Sequence, residues 1–414
     1  MSGIDLPPAA LPALVPGAAH AALPGAIGSE PQVTLGVMGG GQLGGMFVHA
    51  AQRMGFFTAV LDPDPASPAG RVSHRHVQTG YLDAQGLAQM AAQCDAITTE
   101  FENVPASSLR TLSAQRPVSP GASAVEIAQD RALEKAHLQH CGVPCAPFAL
   151  LETAEQLAAV NTALFPGILK TTRLGYDGKG QVTLNDPTGL ASAWHALGGV
   201  PCVLEKKLPL AAECSVILAR GRDGQMVHFP VQLNLHRDGI LAVTQVFESN
   251  MPPALAALAV EATKSIANGL GYVGVLCVEF FVLQIDSPEA DTLGRLVVNE
   301  IAPRPHNSGH YTMDACDSSQ FDLQVRALAG LPLTAPRQHS PAIMLNLLGE
   351  LWHKGTPPWR EVLALDGVHL HLYGKLKASA GRKMGHLNIT GANVAQVQAT
   401  ALRAAALLGI DPWL

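Results

Sequence analysis

The run Leu296-Val-Val-Asn-Glu-Ile-Ala-Pro-Arg-Pro-His-Asn-Ser-Gly-His310 starts as an apolar β-strand, then places Asn299 and Glu300 where more Val or Ile would be expected. A buried carboxylate is costly unless something compensates its charge. Glu279 interrupts the apolar run from Val275 to Val282 in the same way. Magnesium typically takes one or two protein carboxylates and completes its octahedron with phosphate oxygens and water. Glu279 and Glu300, with Asn299 beside them, are therefore candidate magnesium ligands. The alternative is a structural ion pair, but neither strand contains a basic residue. Directly afterwards Arg304, His306, Asn307, Ser308 and His310 crowd around Pro303, Pro305 and Gly309. Such a basic, turn-rich segment points to an anionic substrate next to the cation.

A second constellation is Lys170-Thr-Thr-Arg-Leu-Gly-Tyr-Asp-Gly-Lys-Gly180. Gly175, Gly178 and Gly180 let backbone N–H groups approach phosphate oxygens, and Lys170 and Lys179 supply charge. The Walker spacing is absent, and the alternative is a solvated hairpin loop, although hairpins rarely need three glycines with flanking lysines. Glu205-Lys-Lys-Leu208 ends a strand before Pro209, with Glu213 following, and offers backbone groups for a purine edge and a carboxylate for ribose. Taken alone, that segment is also a solvated strand end. Gly39–Gly44 satisfies GxGxxG and Asp62 follows at the distance of a ribose-binding acid, which makes an NAD-dependent oxidoreductase the rival reading. Nothing else in the chain looks like a hydride-transfer site. Near the C-terminus, Tyr373-Gly-Lys375 and Gly381-Arg-Lys383 frame Lys375, Arg382 and Lys383 with glycines. They make either a solvated basic loop or a clamp on a phosphate or carboxylate.

The elements that must position these groups read as α/β. Val33–Met38, the glycine turn, a helix through about Met54 and Phe57–Leu61 form a βαβ unit, and Ala96–Glu102 is a later strand of that parallel sheet. Ligands bind such sheets at the carboxyl edge. Glu126–Cys141 reads as one helix. A smaller α/β unit carries strands at 167–170, 181–184 and 202–205. A mixed sheet then spans Glu213 to Glu300, including single strands over Val227–Leu235 and Ile240–Phe247 and a helix over Pro253–Gly269. Phe321–Leu328 is helical, and short strands and an Ala-rich helix close the chain.

With 48% hydrophobic and 14% charged residues the chain is globular rather than disordered. A net charge of −6 gives no general attraction for nucleic acid or anionic membrane. No apolar run approaches the roughly 18 residues of a membrane span. The seven cysteines are scattered without a CxxC pair, which fits reduced thiols and a cytoplasmic enzyme rather than a zinc site. Residues 1–31 are rich in Ala and Pro and lack Lys and Arg, so they read as a disordered extension and not as a targeting signal.

In order along the chain, GGGQLG at 39–44, EFENVP at 100–105, QDRALEK at 129–135, GYDGKGQ at 175–181, NEIAPRPHNSGH at 299–310, SQFDLQVRA at 319–327 and GRKMGH at 381–386 resemble the ATP-grasp superfamily. Within it, they resemble the 5-(carboxyamino)imidazole ribonucleotide synthases over about residues 33–395. The resemblance implies an ATP-grasp fold: a Rossmann-like parallel-sheet domain at 32–135, an ATP-grasp domain at 136–335 with a lid at about 148–208, and a small β-rich domain at 336–414. It implies ATP and Mg2+ as cofactors and a homodimer.

The same resemblance implies that ATP is bound by Arg131, Lys170, Gly175, Tyr176, Asp177, Gly178, Lys179, Gly180 and Gln181. The hinge Glu205, Lys206, Lys207 and Leu208 would join them, with Glu213, His236, Asn299 and Glu300. Glu279 and Glu300 would hold the metal, and Arg304 and His306 would serve bicarbonate and the carboxylation. Gly41, Gln42, Leu43, Glu100, Tyr176, Asp177, Asn307, Ser308, Lys375, Arg382 and Lys383 would bind aminoimidazole ribonucleotide. Ser379 departs from the pattern, because many relatives carry Arg there. The implied reaction is ATP-dependent carboxylation of that ribonucleotide with bicarbonate through carboxyphosphate, in purine biosynthesis. A formate-using glycinamide ribonucleotide transformylase would share the ATP machinery. A catalytically dead homologue is opposed by the intact Glu279 and Glu300.

Overall fold

The computed structural model describes residues 22–25, 32–175, 180–248 and 250–413. Among the described residues the strands form three sheets. The first comprises β1 (Thr34–Met38), β2 (Phe57–Leu61), β3 (Arg75–Val77) and β4 (Ala96–Thr99), all parallel in the order β3-β2-β1-β4. β1 is buried along its whole length, as a strand covered on both faces must be. The Gln42–Arg53 helix follows it across the glycine turn. β4 is shorter than the Ala96–Glu102 strand expected. The Glu100 N–H still donates to Met38 O (3.0 Å), and the chain then leaves the sheet, carrying Glu100 and Glu102 past its carboxyl edge.

The second sheet holds β5 (Phe148–Leu151), β6 (Gly167–Thr171), β7 (Gln181–Leu184) and β8 (Cys202–Lys206), in the antiparallel order β5-β8-β6-β7. The helix expected over Glu126–Cys141 is two, Ala122–Ala128 and Arg131–His140. Asp130 makes the break, because its side chain accepts from the N–H groups of Ala132 and Leu133 as the cap of the second helix. The same junction ties this helix to the end of β6: Arg131 N–H donates to Thr172 O (2.9 Å) and Arg173 Nε to Asp130 Oδ2 (2.9 Å).

The third sheet, expected to be mixed, is antiparallel throughout. It contains β9 (Leu210–Arg220), β10 (Met226–His228), β11 (Gln232–Arg237), β12 (Ile240–Val246), β13 (Gly274–Leu283), β14 (Leu296–Ala302), β15 (Ala342–Leu348), β16 (Val368–Leu372) and β17 (Lys383–Thr390). The order is β14-β13-β9-β11-β12-β15-β17-β16, with β10 against β9. Pro230 splits the single strand expected over Val227–Leu235 into β10 and β11, since proline has no N–H for a ladder. β12 pairs with β15, so the C-terminal strands continue the central sheet.

One helix, Gln320–Ala329, fixes the first sheet against the third. Phe321 and Leu328 pack with Leu35 and Phe47 of the N-terminal core, while Leu323 and Ala327 pack with Ile217 and Val275 of the central sheet. Between them Gln324 donates from Nε2 to Thr98 Oγ1 (2.8 Å) and accepts the Val275 N–H at Oε1 (2.6 Å). On the other face of the central sheet the Pro253–Gly269 helix lays Ala259 and Ile266 on Leu276, Val278 and Phe280. From the stretch expected to be a free extension, Ala22 N–H donates to Ala329 O (2.8 Å). Among the described residues no helix is long and apolar enough to cross a membrane.

Candidate active site

A cleft of about 480 Å³ opens where the three sheets meet, lined by Glu102, Gln129, Arg131, Glu134, Thr172, Gly175, Glu300 and Arg304 among others. Its floor is β14. The antiparallel register sets Glu279 of β13 opposite Glu300 of β14, and a bulge beside Glu279 leaves Asn299 unpaired. Two like charges in one cross-strand pair repel. Burial first, and then Glu300, push the Glu279 carboxyl up to about 7. Glu279 Oε1 is buried without a hydrogen-bond partner. Paired carboxylates with an orphaned oxygen fit a hard divalent cation that takes its other ligands from phosphate and water. The residues that approach this pair come from elsewhere in the chain: Arg131 Nη1 lies 3.6 Å from Glu300 Oε2, and His306 Nε2 lies 3.6 Å from Glu279 Oε1. Glu134 braces the floor by accepting the Ile301 N–H (2.6 Å), and burial raises its own carboxyl to about 7.

A buried ionic cluster involves Glu205, Lys135 and Lys170. Lys170 Nζ donates to Glu205 Oε2 (3.0 Å), and Lys135 Nζ lies 3.4 Å from Glu205 Oε1. Burial works against the Glu205 charge, but Lys135 and then Lys170 outweigh it and hold the carboxyl down at about 2. For Lys170, burial outweighs the pull of Glu205 and lowers its pKa, whereas Lys135 is held charged by Glu205 and Glu134. Lys135 was not a sequence candidate. Its signal was its place one helical turn after Arg131, on the same face. Further along the wall, His236 Nδ1 sits 2.9 Å from Glu213 Oε2; burial opposes a charge on the ring, but Glu213 and Glu279 raise its pKa.

The other hinge side chains point elsewhere. Lys206 pairs with Glu289 (3.0 Å), Lys207 is exposed and Leu208 is buried. Gly180 and Gln181 border the lid strand β7, and Gly175 lines the cleft. Tyr176, Asp177, Gly178 and Lys179 lie outside the described residues.

At the far end Arg304 meets Glu102 of the N-terminal domain, with Nε donating to Glu102 Oε2 (2.5 Å) and Nη1 to Pro305 O (3.3 Å). Burial opposes both charges, yet each partner more than compensates the other: Arg304 is raised and Glu102 lowered. Arg304 thus lines the cleft as a fixed cation.

The glycine turn is not a bare anion nest. Gly41 N–H donates to Glu100 Oε1, Gly44 N–H to Glu100 Oε2 (2.7 Å) and Gly40 N–H to Asp62 Oδ2 (2.7 Å). A side chain on Gly39 would meet Glu100 Cγ at 2.5 Å, and its φ of +105° is open only to glycine. The turn therefore presents the Glu100 carboxylate, which burial raises above its usual range. Asp62, also bound by Tyr81 Oη (2.8 Å), is spent on structure rather than on a ribose. Leu43, Glu100 and Pro305 line a second cleft of about 190 Å³ that adjoins this turn.

Asn307 and Ser308 do not present free side chains to a substrate. Asn307 and Asn346 exchange amide hydrogen bonds (3.0 and 2.6 Å), and Ser308 is fully buried against Ser215 (2.8 Å). His310 is buried too, with its ring 4.6 Å from that of His386. In the C-terminal arm, Lys375 Nζ donates to Lys383 O (2.6 Å), and Lys383 acts electrostatically on Glu102, Glu279 and His306. Arg382 is exposed and donates to Lys377 O (2.7 Å). Ser379 closes the same turn through its carbonyl, which accepts the Arg382 N–H (3.0 Å).

Comparison with known proteins adds three family models: a ribonucleotide synthetase preATP-grasp domain over residues 32–129, an ATP-grasp domain over 136–321, and a phosphoribosylaminoimidazole carboxylase C-terminal domain over 342–400. The chain is 44% identical over 365 residues to an N5-carboxyaminoimidazole ribonucleotide synthase of Brucella melitensis, covering 86% of this chain and 96% of that one. It is 40% identical over 375 residues to the Pseudomonas aeruginosa enzyme of that name, covering 90% and 99%. Among solved structures, an ADP complex of an N5-carboxyaminoimidazole ribonucleotide synthetase superposes with a TM-score of 0.84 at 38% identity, covering 93% of this chain and 98% of that one. The Aspergillus clavatus enzyme in complex with ADP and 5-aminoimidazole ribonucleotide gives 0.82 at 30% identity, covering 91% and 99%.

Proposed function

The chain belongs to the N5-carboxyaminoimidazole ribonucleotide synthase family of ATP-grasp enzymes, and from that premise we propose how its residues carry the family's reaction. The enzyme is an ADP-forming ligase that uses ATP to carboxylate aminoimidazole ribonucleotide with bicarbonate. The observation that carries the assignment of roles is the placement of Arg304 at the end of the strand that bears Glu300, with its guanidinium held by Glu102 at the mouth of the shared cleft.

Bicarbonate is a poor electrophile until one of its oxygens becomes a leaving group. Its attack on the γ-phosphate forms carboxyphosphate, which breaks down to CO2 and phosphate. The amine of the ribonucleotide then attacks CO2 and becomes a carbamate. Lys170 and Arg131 meet the phosphates, and Arg304 orients bicarbonate and then the carboxyphosphate. Glu279 and Glu300 would hold magnesium, which when bound neutralises charge on the transferred phosphoryl group. Glu100, which follows β4 and accepts from the glycine turn, lines the second cleft and is assigned to the ribonucleotide. Lys375 and Lys383 are assigned to its phosphate. The lid sheet, tied to the Arg131–His140 helix, excludes water from the acyl phosphate.

The chain's thiols are all free cysteines, which supports a reducing cytoplasmic setting. The homodimer is part of the same proposal and is read by sedimentation. The test of function is ADP release from Mg-ATP with aminoimidazole ribonucleotide and labelled bicarbonate. Stimulation by the ribonucleotide, with label entering an acid-labile product, is the expected result. Turnover only with formate and glycinamide ribonucleotide would move the chain to the transformylase reading.

A further inference from the structure

His306 reaches Glu279, and its two ring nitrogens have different surroundings. Nδ1 lies 2.9 Å from Ser308 Oγ and accepts the Ser308 backbone N–H at 3.3 Å. A backbone N–H can only donate, so Nδ1 must present its lone pair. The Ser308 hydroxyl then donates to the same atom. A proton on Nδ1 would confront the amide N–H, which disfavours the other tautomer. The remaining proton is therefore on Nε2, 3.6 Å from the buried, otherwise unpartnered Glu279 Oε1.

The support behind Ser308 is fixed in turn. Ser215 Oγ lies 2.8 Å from Ser308 Oγ, receives Asn234 Nδ2 (2.9 Å) and is 3.1 Å from Gln232 Oε1. Thr244 Oγ1 donates to Asn234 Oδ1 (3.0 Å), and Gln232 is oriented by donating from Nε2 to Pro230 O. Ser308, Ser215, Gln232 and Thr244 are all fully buried.

We propose that Ser308, backed by Ser215, is a positioning residue that locks His306 in the Nε2–H tautomer, making it a hydrogen-bond donor to the cleft rather than the base for the ribonucleotide amine. The proposal rests on the functional reading given above only for the reaction in which His306 takes part. An acceptor for the amine proton needs a lone pair, and Nε2 holds a proton where that lone pair would be. As the amine nitrogen bonds to CO2, one C–O π pair becomes the carboxylate. The amine proton passes to the phosphate released with that CO2. The Nε2–H suits the oxygens of carboxyphosphate and of the departing CO2.

The test begins with ring-15N-histidine-labelled full-length protein, with the His306 signals identified by their loss in His306→Gln. One protonated nitrogen and one unprotonated nitrogen are expected near neutral pH, with the proton coupled as Nε2–H. A protonated Nδ1, alone or with Nε2, overturns the proposal. In Ser308→Ala the Nδ1–H form should gain population. Its kcat should fall about tenfold, the worth of one oriented hydrogen bond. The KM for ATP should hold, and more phosphate should be released per carboxylate captured. Unchanged kcat and unchanged coupling would overturn the positioning role. If Ser308→Ala fails to fold, the spectrum of the unaltered chain still decides. Absence of carboxylation in the unaltered chain would overturn the functional reading and leave the tautomer measurement standing.

Discussion

Glu279 and Glu300 stand opposite one another across β13 and β14, as a register pair of carboxylates at the floor of the cleft. Such a pair destabilises the sheet unless a cation lies between them. Glu300→Gln should abolish ATP turnover while the protein stays folded, with circular dichroism unchanged. In a thermal melt, the extra stabilisation that magnesium adds to ADP binding should disappear in the variant. Retained turnover would remove Glu300 from the metal site.

Glu205 joins Lys135 and Lys170 in a buried ionic cluster. Removing one partner of a buried pair costs about 3–5 kcal/mol, so Lys135→Met should lower urea stability by about 3 kcal/mol. It should also raise the KM for ATP. Unaltered stability would mean that Lys170 alone compensates Glu205.

The same cluster predicts a pH dependence. The Glu205 carboxyl drops from its usual 4.5 to about 2 on folding, so the unfolded chain binds more protons between those values. Its stabilising contribution is complete above about pH 4.5 and is lost as pH falls toward 2. The stability difference between the wild-type chain and Glu205→Gln, followed by denaturant titration from pH 7 downward, should narrow below pH 4.5. A difference that stays constant through that window would contradict the assignment.

Arg304 is aimed by Glu102 from 202 residues away. Arg304→Lys keeps the charge but loses the planar fork, and should cut carboxylation by about a hundredfold, the cost of one misplaced charge-stabilising donor. Glu102→Gln should act in the same direction more mildly. Product formation per ADP released is the discriminating measurement, and equal loss of both would point to a structural defect instead.

Lys375 braces Lys383 through its backbone carbonyl and lies 5.6 Å from the centre of the Tyr373 ring. Lys375→Ala should raise the ribonucleotide KM about tenfold, as expected for one charged hydrogen bond, with the KM for ATP unchanged. An unmoved ribonucleotide KM would take Lys375 out of the phosphate site.

The sequence alone determined much of this molecule because some signals are local. An acid in an apolar strand is visible wherever the strand is, so Glu279 and Glu300 stood out, and the strand-turn-helix order at Gly39–Gly44 announced a parallel sheet. What it left open was every relation between distant segments. Periodicity marks Lys135 as helical but not that Glu205 crosses to meet it. The glycine motif fits a dinucleotide-binding turn because nothing in it announces that Glu100, from beyond another strand, takes its amides. Asn307 and Ser308 read as substrate contacts by their place beside Arg304, but the fold buries them against Asn346 and Ser215. Residue type and spacing report how a segment wants to fold, whereas the partner of a buried charge is chosen by packing, which brings together residues that no local pattern connects.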